Sequence, residues 1–159
     1  MLHINVICVG KIKESFFRDA ILEYSKRLSR FCNLTITELQ DEKISEKASE
    51  KIEQEIKEKE GQNIISHIKK DSYVIALDLT GKELDSVALS QKIENLSISN
   101  SSITFIIGGS LGLSKQVLNI CNEKLCFSKM TFPHQLIRIF LLEQIYRAFK
   151  IANNETYHK

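Results

Sequence analysis

The feature that most constrains the fold is an apolar segment that runs directly into a glycine-rich one. The run Ile103-Thr104-Phe105-Ile106-Ile107 predicts a buried strand, and Gly108-Gly109-Ser110-Leu111-Gly112 follows it without a spacer. Glycines just past a strand let backbone amides approach a ligand closely, and α/β sheets bind ligands at the carboxyl ends of their strands. The loop therefore indicates a ligand site, although a plain tight turn explains the glycines about as well.

A second loop follows the next predicted strand. The short apolar run Leu125-Cys126-Phe127 predicts a strand, and Phe127-Ser128-Lys129-Met130-Thr131-Phe132-Pro133-His134 leads from it into an apolar helix that continues to about Ile151. Pro133 favours the start of a helix. Two loops that follow successive strands predict the two walls of one small-molecule pocket.

The rest of the chain alternates strand and helix patterns. Strands are predicted at residues 3–9, at 34–39 near a sheet edge and at 73–79, where Thr80-Gly81-Lys82 turns the chain. Helices are predicted over about 14–28, 87–96 with Ser86 as its cap, and 114–122 capped by Ser114. The charged segment 41–60 predicts a loop and then an exposed helix to about residue 67, with Gly61 as the point where it would split. The alternation predicts one α/β domain over residues 1–159, with a mostly parallel sheet and helices on both faces.

Composition excludes several classes of protein. A chain of 159 residues, 43% of them hydrophobic, holds one ordinary core and lacks any apolar run of membrane-spanning length. The apolar start lacks the positive leading region and the cleavage site of a signal peptide, so we expect a cytoplasmic protein. The four cysteines form no Cys-x-x-Cys pair, and we expect no metal site.

Charge is distributed unevenly along the chain. Residues 1–30 carry six basic and three acidic side chains, residues 113–159 carry seven and three, and the middle is net negative. Both ends are therefore candidates for a phosphate-facing surface, with ordinary solvated charge as the equal alternative.

The glycine loop matches neither of the two common phosphate-binding motifs. It lacks the Gly-x-x-x-x-Gly-Lys-Ser/Thr spacing of a P-loop and the Gly-x-Gly-x-x-Gly spacing of a dinucleotide site. It also lies late in the chain, and no acidic residue ends the following strand to hold a ribose. Nicotinamide chemistry is therefore disfavoured.

The last helix leaves little polar surface, which indicates that it is buried on both sides, with a partner subunit as the natural second side. Arg138, Glu143 and Arg147 interrupt it, and an internal ion pair is a slightly better explanation than an arginine that faces a ligand. The chain ends on Tyr157-His158-Lys159. Base rates for chain ends favour a frayed tail, although these side chains together are able to stack on a base and polarise it.

These segments together resemble one family. The resemblance rests on Ile106 to Gly112, on Phe127 to His134, on Arg138, Glu143 and Tyr146-Arg147-Ala148, and on the closing Tyr157-His158-Lys159. It extends over the whole chain and includes Val9-Gly10-Lys11, Tyr24, Arg27 and the Leu77 strand before Gly81. The family is that of ribosomal RNA large subunit methyltransferase H, within the SPOUT class of RNA methyltransferases.

The resemblance implies a homodimeric enzyme that uses S-adenosylmethionine to methylate the N3 nitrogen of a pseudouridine in a stem-loop of 23S rRNA, at the ribosomal subunit interface. It also implies a C-terminal trefoil knot, which the general rules of topology would not suggest. A non-catalytic nucleotide-binding or ribosome-associated module on the same fold is the alternative.

The resemblance also implies site residues, which fall into two groups. The cofactor contacts are Leu77, Gly108, Gly109, Gly112, Phe127, Ser128, Lys129, Met130, Thr131 and Phe132. The catalytic candidates are Tyr157, His158, Lys159, Arg138 and Glu143.

Overall fold

Strands alternate with helices along the whole chain in a computed structural model that describes residues 1–159. The elements are β1 (His3–Val9), α1 (Ser15–Leu28), β2 (Asn33–Leu39), α2 (Glu50–His67), β3 (Tyr73–Glu83), α3 (Ser86–Ser99), β4 (Ser102–Ile107), α4 (Lys115–Ile120), β5 (Glu123–Cys126) and α5 (His134–Ala152). The five strands form one sheet in the order β2-β1-β4-β3-β5, and every pair is parallel. The predicted parallel α/β fold is confirmed, with β2 at an edge as expected.

Helices cover both faces of the sheet, because successive residues of a strand point to opposite sides. On one face Ile4, Val6 and Cys8 belong to a cluster that includes buried residues of α1, α3 and α5. On the other face Ile7 and Val9 pack in a second cluster with residues of α2 and α4. The near-continuous apolar strands of the sequence are thus explained by burial on both sides.

Helix α2 is continuous through Gly61, so the expected split is wrong. A side chain at Gly61 would collide with Ser114 and come within 3.2 Å of Val117 in α4. The glycine therefore permits close packing of α2 on α4. The expectation of an exposed helix is also wrong for this end, because Glu60, Gly61 and Ile64 are buried.

Strand β3 is longer than the sequence pattern predicts. Thr80, Gly81 and Lys82 do not turn the chain away, because β3 continues to Glu83 after an irregularity between Leu77 and Lys82. Leu125 of β5 pairs with both of those residues. A side chain at Gly81 would come within 2.7 Å of the β5 backbone, so glycine is required there. The trefoil knot stays a prediction.

The predicted cap of α4 is confirmed, whereas the predicted cap of α3 is wrong. Ser114 caps α4 by accepting a hydrogen bond from the Val117 amide. The cap of α3 is Asp85 and not Ser86, since its carboxylate accepts from the Ala88 amide at 2.7 Å. The Ser86 hydroxyl instead donates to Gln144 of α5, which ties the two helices together.

Helix α5 contributes much of the core on its face of the sheet. Leu141, Leu142 and Ile145 are fully buried within the chain itself, while Phe140 is 41% exposed. The apolar surface of α5 is thus only partly covered.

Neither α5 nor any other helix combines the length and the apolar character that a membrane span requires.

Candidate active site

A cleft of about 480 Å³ opens at the carboxyl ends of β3, β4 and β5. The glycine loop forms one wall and the loop after β5 forms the other, so the structure brings together the two segments that the sequence predicts as one pocket. Of the predicted cofactor contacts, the cleft is lined by Leu77, Gly108, Gly109, Gly112, Phe127, Ser128, Met130, Thr131 and Phe132. Lys129 is exposed and does not line it.

The glycine loop is a tight turn and a wall of the cleft at once. The Gly112 amide donates to the Gly109 carbonyl at 3.0 Å, and Gly112 has a φ of +79°, which favours glycine. A side chain at Gly108 would lie 3.0 Å from the Gly112 carbonyl group. Gly108 therefore permits the close approach that shapes the loop itself.

The opposite wall is fixed by local hydrogen bonds and one aromatic contact. The Ser128 hydroxyl accepts from the Met130 amide at 3.0 Å, and the Ser128 carbonyl accepts from the Cys126 thiol at 3.1 Å. Phe132 meets Phe140 of α5 edge to face, with ring centroids 5.6 Å apart. The wall is thereby tied to the helix that follows it.

Arg138, one turn into α5 after this wall, forms a buried ion pair. Its guanidinium is fully buried and donates to Glu38 of β2 at 2.7 Å and to the Gly10 carbonyl at 3.0 Å. Glu38 also accepts from the Ile12 amide at 3.0 Å. Arg138 thus holds the start of α5 against the ends of β1 and β2, which agrees with the preferred internal ion pair. A buried guanidinium does not contact substrate, so its role in this structure is to position other groups.

His134 is a cleft residue that the sequence did not single out as a site residue. Its ring covers Gly10, which has a φ of +97° and where a side chain would lie 3.1 Å from the imidazole. Burial, and secondarily the charge of Arg138, lowers the pKa of His134 below its usual range. The imidazole therefore presents a neutral group to the cleft. The only sequence signal was its place at the end of the second loop.

A second cluster gathers most of the remaining predicted residues around the chain end. Glu143 accepts from the Arg147 guanidinium at 2.8 Å and from the Tyr157 hydroxyl at 3.1 Å. Arg147 lies over the Tyr157 ring at 4.7 Å and donates to His158 at 3.2 Å, and Tyr146 packs edge-on against Tyr157. The expectation of a frayed tail is wrong for Tyr157 and His158.

The chemical state of this cluster follows from its contacts. Burial and the hydrogen bond to Glu143 raise the pKa of Tyr157, so the phenol keeps its proton and acts as a donor. A guanidinium can only donate, so the contact with Arg147 requires Nδ1 of His158 to be the unprotonated, accepting nitrogen. Lys159 is exposed and makes no side-chain hydrogen bond, which leaves its charge free for a ligand.

The tail cluster and the cleft share no residue within one chain, although a second groove adjoins both of them. Glu143 lies nine residues beyond His134 on α5, which corresponds to roughly 13 Å along the helix axis. Between them runs a second groove whose walls include Leu89, Phe127, Phe132, Phe140 and Glu143. Of the catalytic candidates, Arg138 does not line the cleft but lies near His134, which does, while Glu143, Tyr157 and His158 belong to the tail.

Other reactive groups offer little chemistry. Burial raises the pKa of the Cys8 and Cys32 thiols to about 12, which keeps them protonated. No cluster of three or more histidine, cysteine or carboxylate side chains is arranged to hold a metal ion. Glu60 is buried beside Gly109 and accepts from the Glu42 amide at 3.2 Å. Its carboxylate ties the loop after β2 to α2, and burial raises its pKa.

Comparison with known proteins gives consistent results. A family model described as a predicted SPOUT methyltransferase matches residues 2–158. The ribosomal RNA large subunit methyltransferase H of Clostridium acetobutylicum is 58% identical over 159 residues, covering 99% of this chain and 100% of that protein. The protein of the same name from Clostridium botulinum strain Hall is 60% identical over the same shares of both chains. A solved structure of a probable methylase family protein from Haemophilus influenzae Rd KW20 covers 98% of this chain and 70% of that chain, with a TM-score of 0.52 and 14% identity, which shows the fold alone.

Proposed function

Since the chain belongs to the SPOUT methyltransferase family, we propose that it methylates ribosomal RNA of the large subunit with S-adenosylmethionine as the methyl donor. The proposed target is the N3 nitrogen of a pseudouridine in a 23S rRNA stem-loop at the subunit interface. The enzyme would act in the cytoplasm as a homodimer. One observation carries the proposal: the glycine loop and the loop after β5, on which the family resemblance rests, face each other across a single cleft at the carboxyl ends of the strands.

The cleft suits a donor that contains an adenosine. Its volume of about 480 Å³ lies within the ordinary range of small-molecule pockets. The apolar side chains of Leu77, Phe127 and Phe132 would contact the faces of a base, and the backbone of the two loops would contact its polar edge. When bound, S-adenosylmethionine supplies a methyl group on a positively charged sulfur. The neutral state of His134 fits this charge, because it adds no repulsion.

The tail cluster would hold the target nucleotide. Single-stranded and looped RNA is recognised by stacking of unpaired bases on aromatic and guanidinium planes. Tyr157 and Arg147 already form such a stack, and Glu143 orients both of them. In this proposal Tyr157 contacts the base and Lys159 binds phosphate. His158 orients the base through its Nε2–H or, once Nδ1 leaves Arg147, accepts the N3 proton on Nδ1. Methyl transfer depends chiefly on alignment of the nitrogen with the methyl group, which such a platform would provide.

A second copy of the chain would complete the site. The tail cluster lies roughly 13 Å along α5 from His134, and none of its residues lines the cleft of its own chain. The groove between them is lined by Phe140 and other apolar side chains, and Val87 on the adjoining α3 is also 41% exposed. An apolar surface of this kind is typical of a subunit interface. The tail of one subunit would then serve the cleft of its partner.

Labelled methyl transfer tests the proposal. The purified protein is incubated with S-adenosylmethionine carrying a labelled methyl group and with free 23S rRNA, isolated large subunits or assembled ribosomes from a strain that lacks its own enzyme. We expect label in 23S rRNA from at least one of the three substrates. Cofactor binding by calorimetry without transfer to any substrate would instead favour the non-catalytic module.

A further inference from the structure

The loop that follows β1 lies at the edge of the sheet where the cleft opens. Gly10 is covered by His134, which lines the cleft. Val9 lies beside the glycine loop, since a side chain at Gly109 would come within 3.2 Å of it. The segment of residues 10–14, called here the β1 loop, therefore begins beside both walls. None of its residues is among the proposed contacts to the cofactor or the target base.

The backbone of the β1 loop is held rigidly. Ile12 is buried, and its amide donates to Glu38 at 3.0 Å. The Arg18 guanidinium donates to the carbonyls of Ile12 and Lys13 at 3.2 and 2.7 Å. Lys11 and Lys13, on either side of the buried Ile12, are exposed. Two flexible cations are thus presented to solvent from a fixed backbone.

The charges of this loop are not neutralised within the chain. None of the seven ion pairs includes Lys11, Lys13 or Arg18. Arg18 contacts only carbonyl oxygens, which leaves its charge uncompensated. Glu14 and Asp19 are near in sequence, but neither forms an ion pair with these cations.

The other basic region of the molecule differs in this respect. The end of α1 and helix α5 bring the two basic ends of the chain together, but most cations of this region are paired with carboxylates. Arg27 pairs with Glu23, Arg147 pairs with Glu143, and Glu155 pairs with Arg30 and Lys150. A cation that already has a carboxylate partner must give it up before it binds phosphate. The β1 loop is therefore the better site for a polyanion.

We propose that Lys11 and Lys13, supported by the charge of Arg18, bind the phosphate backbone of the RNA that flanks the target nucleotide. This inference rests on the proposed function and assigns part of its RNA-binding surface to the β1 loop. The cations are not needed for the methyl donor, which carries no phosphate. Their place beside the cleft suits a strand that enters it from one side.

Two double variants, with substitutions at opposite ends of the strands, test the inference. In the test variant Lys11→Gln and Lys13→Gln are combined. In the matched control Lys69→Gln and Lys70→Gln are combined, because these exposed lysines form no ion pair and precede β3, at the edge away from the cleft. Affinity for a 23S rRNA fragment is measured by filter binding between 50 and 200 mM salt, alongside S-adenosylmethionine affinity and methyl transfer.

Each phosphate contact contributes about one to the slope of log affinity against log salt. We expect the test variant to lose about two from that slope, so that its deficit in RNA affinity shrinks roughly tenfold across this range of salt. Its affinity for S-adenosylmethionine should not change, and the control should match the wild type. An unchanged salt slope, or an equal loss in the control, would overturn the inference. Because RNA binding is measured without catalysis, a wild type that binds RNA but transfers no methyl counts against the proposed function alone.

Discussion

The buried pair of Arg138 and Glu38 gives the sharpest prediction about stability. Arg138 is fully buried, whereas the side chain of Glu38 is 38% exposed. Glu38→Gln removes the compensating charge and leaves the guanidinium stranded in the interior. Breaking a buried pair costs about 3–5 kcal/mol, but the exposure of Glu38 and the acceptor retained by glutamine place the cost nearer 2 kcal/mol. For a domain of this length, that lowers the Tm by about 4–8 °C.

The buried pair also determines how two substitutions combine. Most of the cost of Glu38→Gln arises from the stranded guanidinium, so adding Arg138→Met, which removes that charge, should not add its own cost. The double variant should be at least as stable as Glu38→Gln alone. Urea unfolding followed by circular dichroism measures the free energy of unfolding of the wild type, both single variants and the double variant. Equal m-values check that all four unfold in a two-state manner.

A matched control makes the same chemical change at the surface. Glu42 pairs with Lys59, whose side chain is 72% exposed. Glu42→Gln should cost less than about 0.5 kcal/mol, because exposed ion pairs contribute little. Costs of Glu38→Gln and Arg138→Met that add to within about 0.5 kcal/mol would refute the account of the buried pair.

Three further predictions concern the cleft, the interface and the tail. The pKa of His134 lies below its usual 6.5 in the folded state, so the unfolded chain binds the proton first and stability is lost as pH falls below about 6.5. Between pH 7 and 5, His134→Gln should lose less free energy of unfolding than the wild type, and an identical pH dependence of the two proteins would contradict this. Light scattering should find the wild type dimeric at micromolar concentration and Phe140→Glu monomeric, because a charge in an apolar interface is costly; a monomeric wild type would refute the dimer. Deleting residues 157–159 should leave cofactor affinity unchanged but cut methyl transfer severely, and Tyr157→Ala should cost roughly ten- to a hundredfold, as expected for loss of one stacked base; full turnover by the truncated chain would remove the tail from the site.

Local patterns predicted much of the fold. Four apolar segments and the alternating segment 34–39 gave the five strands. The central strands of a parallel sheet are buried on both faces and require near-continuous apolar runs, whereas the edge strand β2 does not. The errors arose where distant segments decide the outcome. Gly61 was predicted to split the helix because the residues around it do not show that it packs against α4. In the same way, β3 continues past Gly81 because β5 pairs with it there.

The candidate site was predicted in part, for similar reasons. The two loops of the cleft were found because glycines and strand ends have local signatures. The pair of Glu38 and Arg138 joins residues 100 positions apart, and no local pattern connects them. The docking of Tyr157 onto Glu143 was missed because chain ends are usually frayed, and only its contacts with α5 show that this end is held.

The function proposed for the cleft is methylation of one base in 23S rRNA. Mass mapping of that rRNA tests it most directly, after ribosomes from a strain lacking the modification are incubated with the purified protein and S-adenosylmethionine. We expect one added methyl group, at the N3 nitrogen of a single pseudouridine. Unmodified 23S rRNA from a folded protein that binds the cofactor, or a methyl group on any other atom, would contradict it.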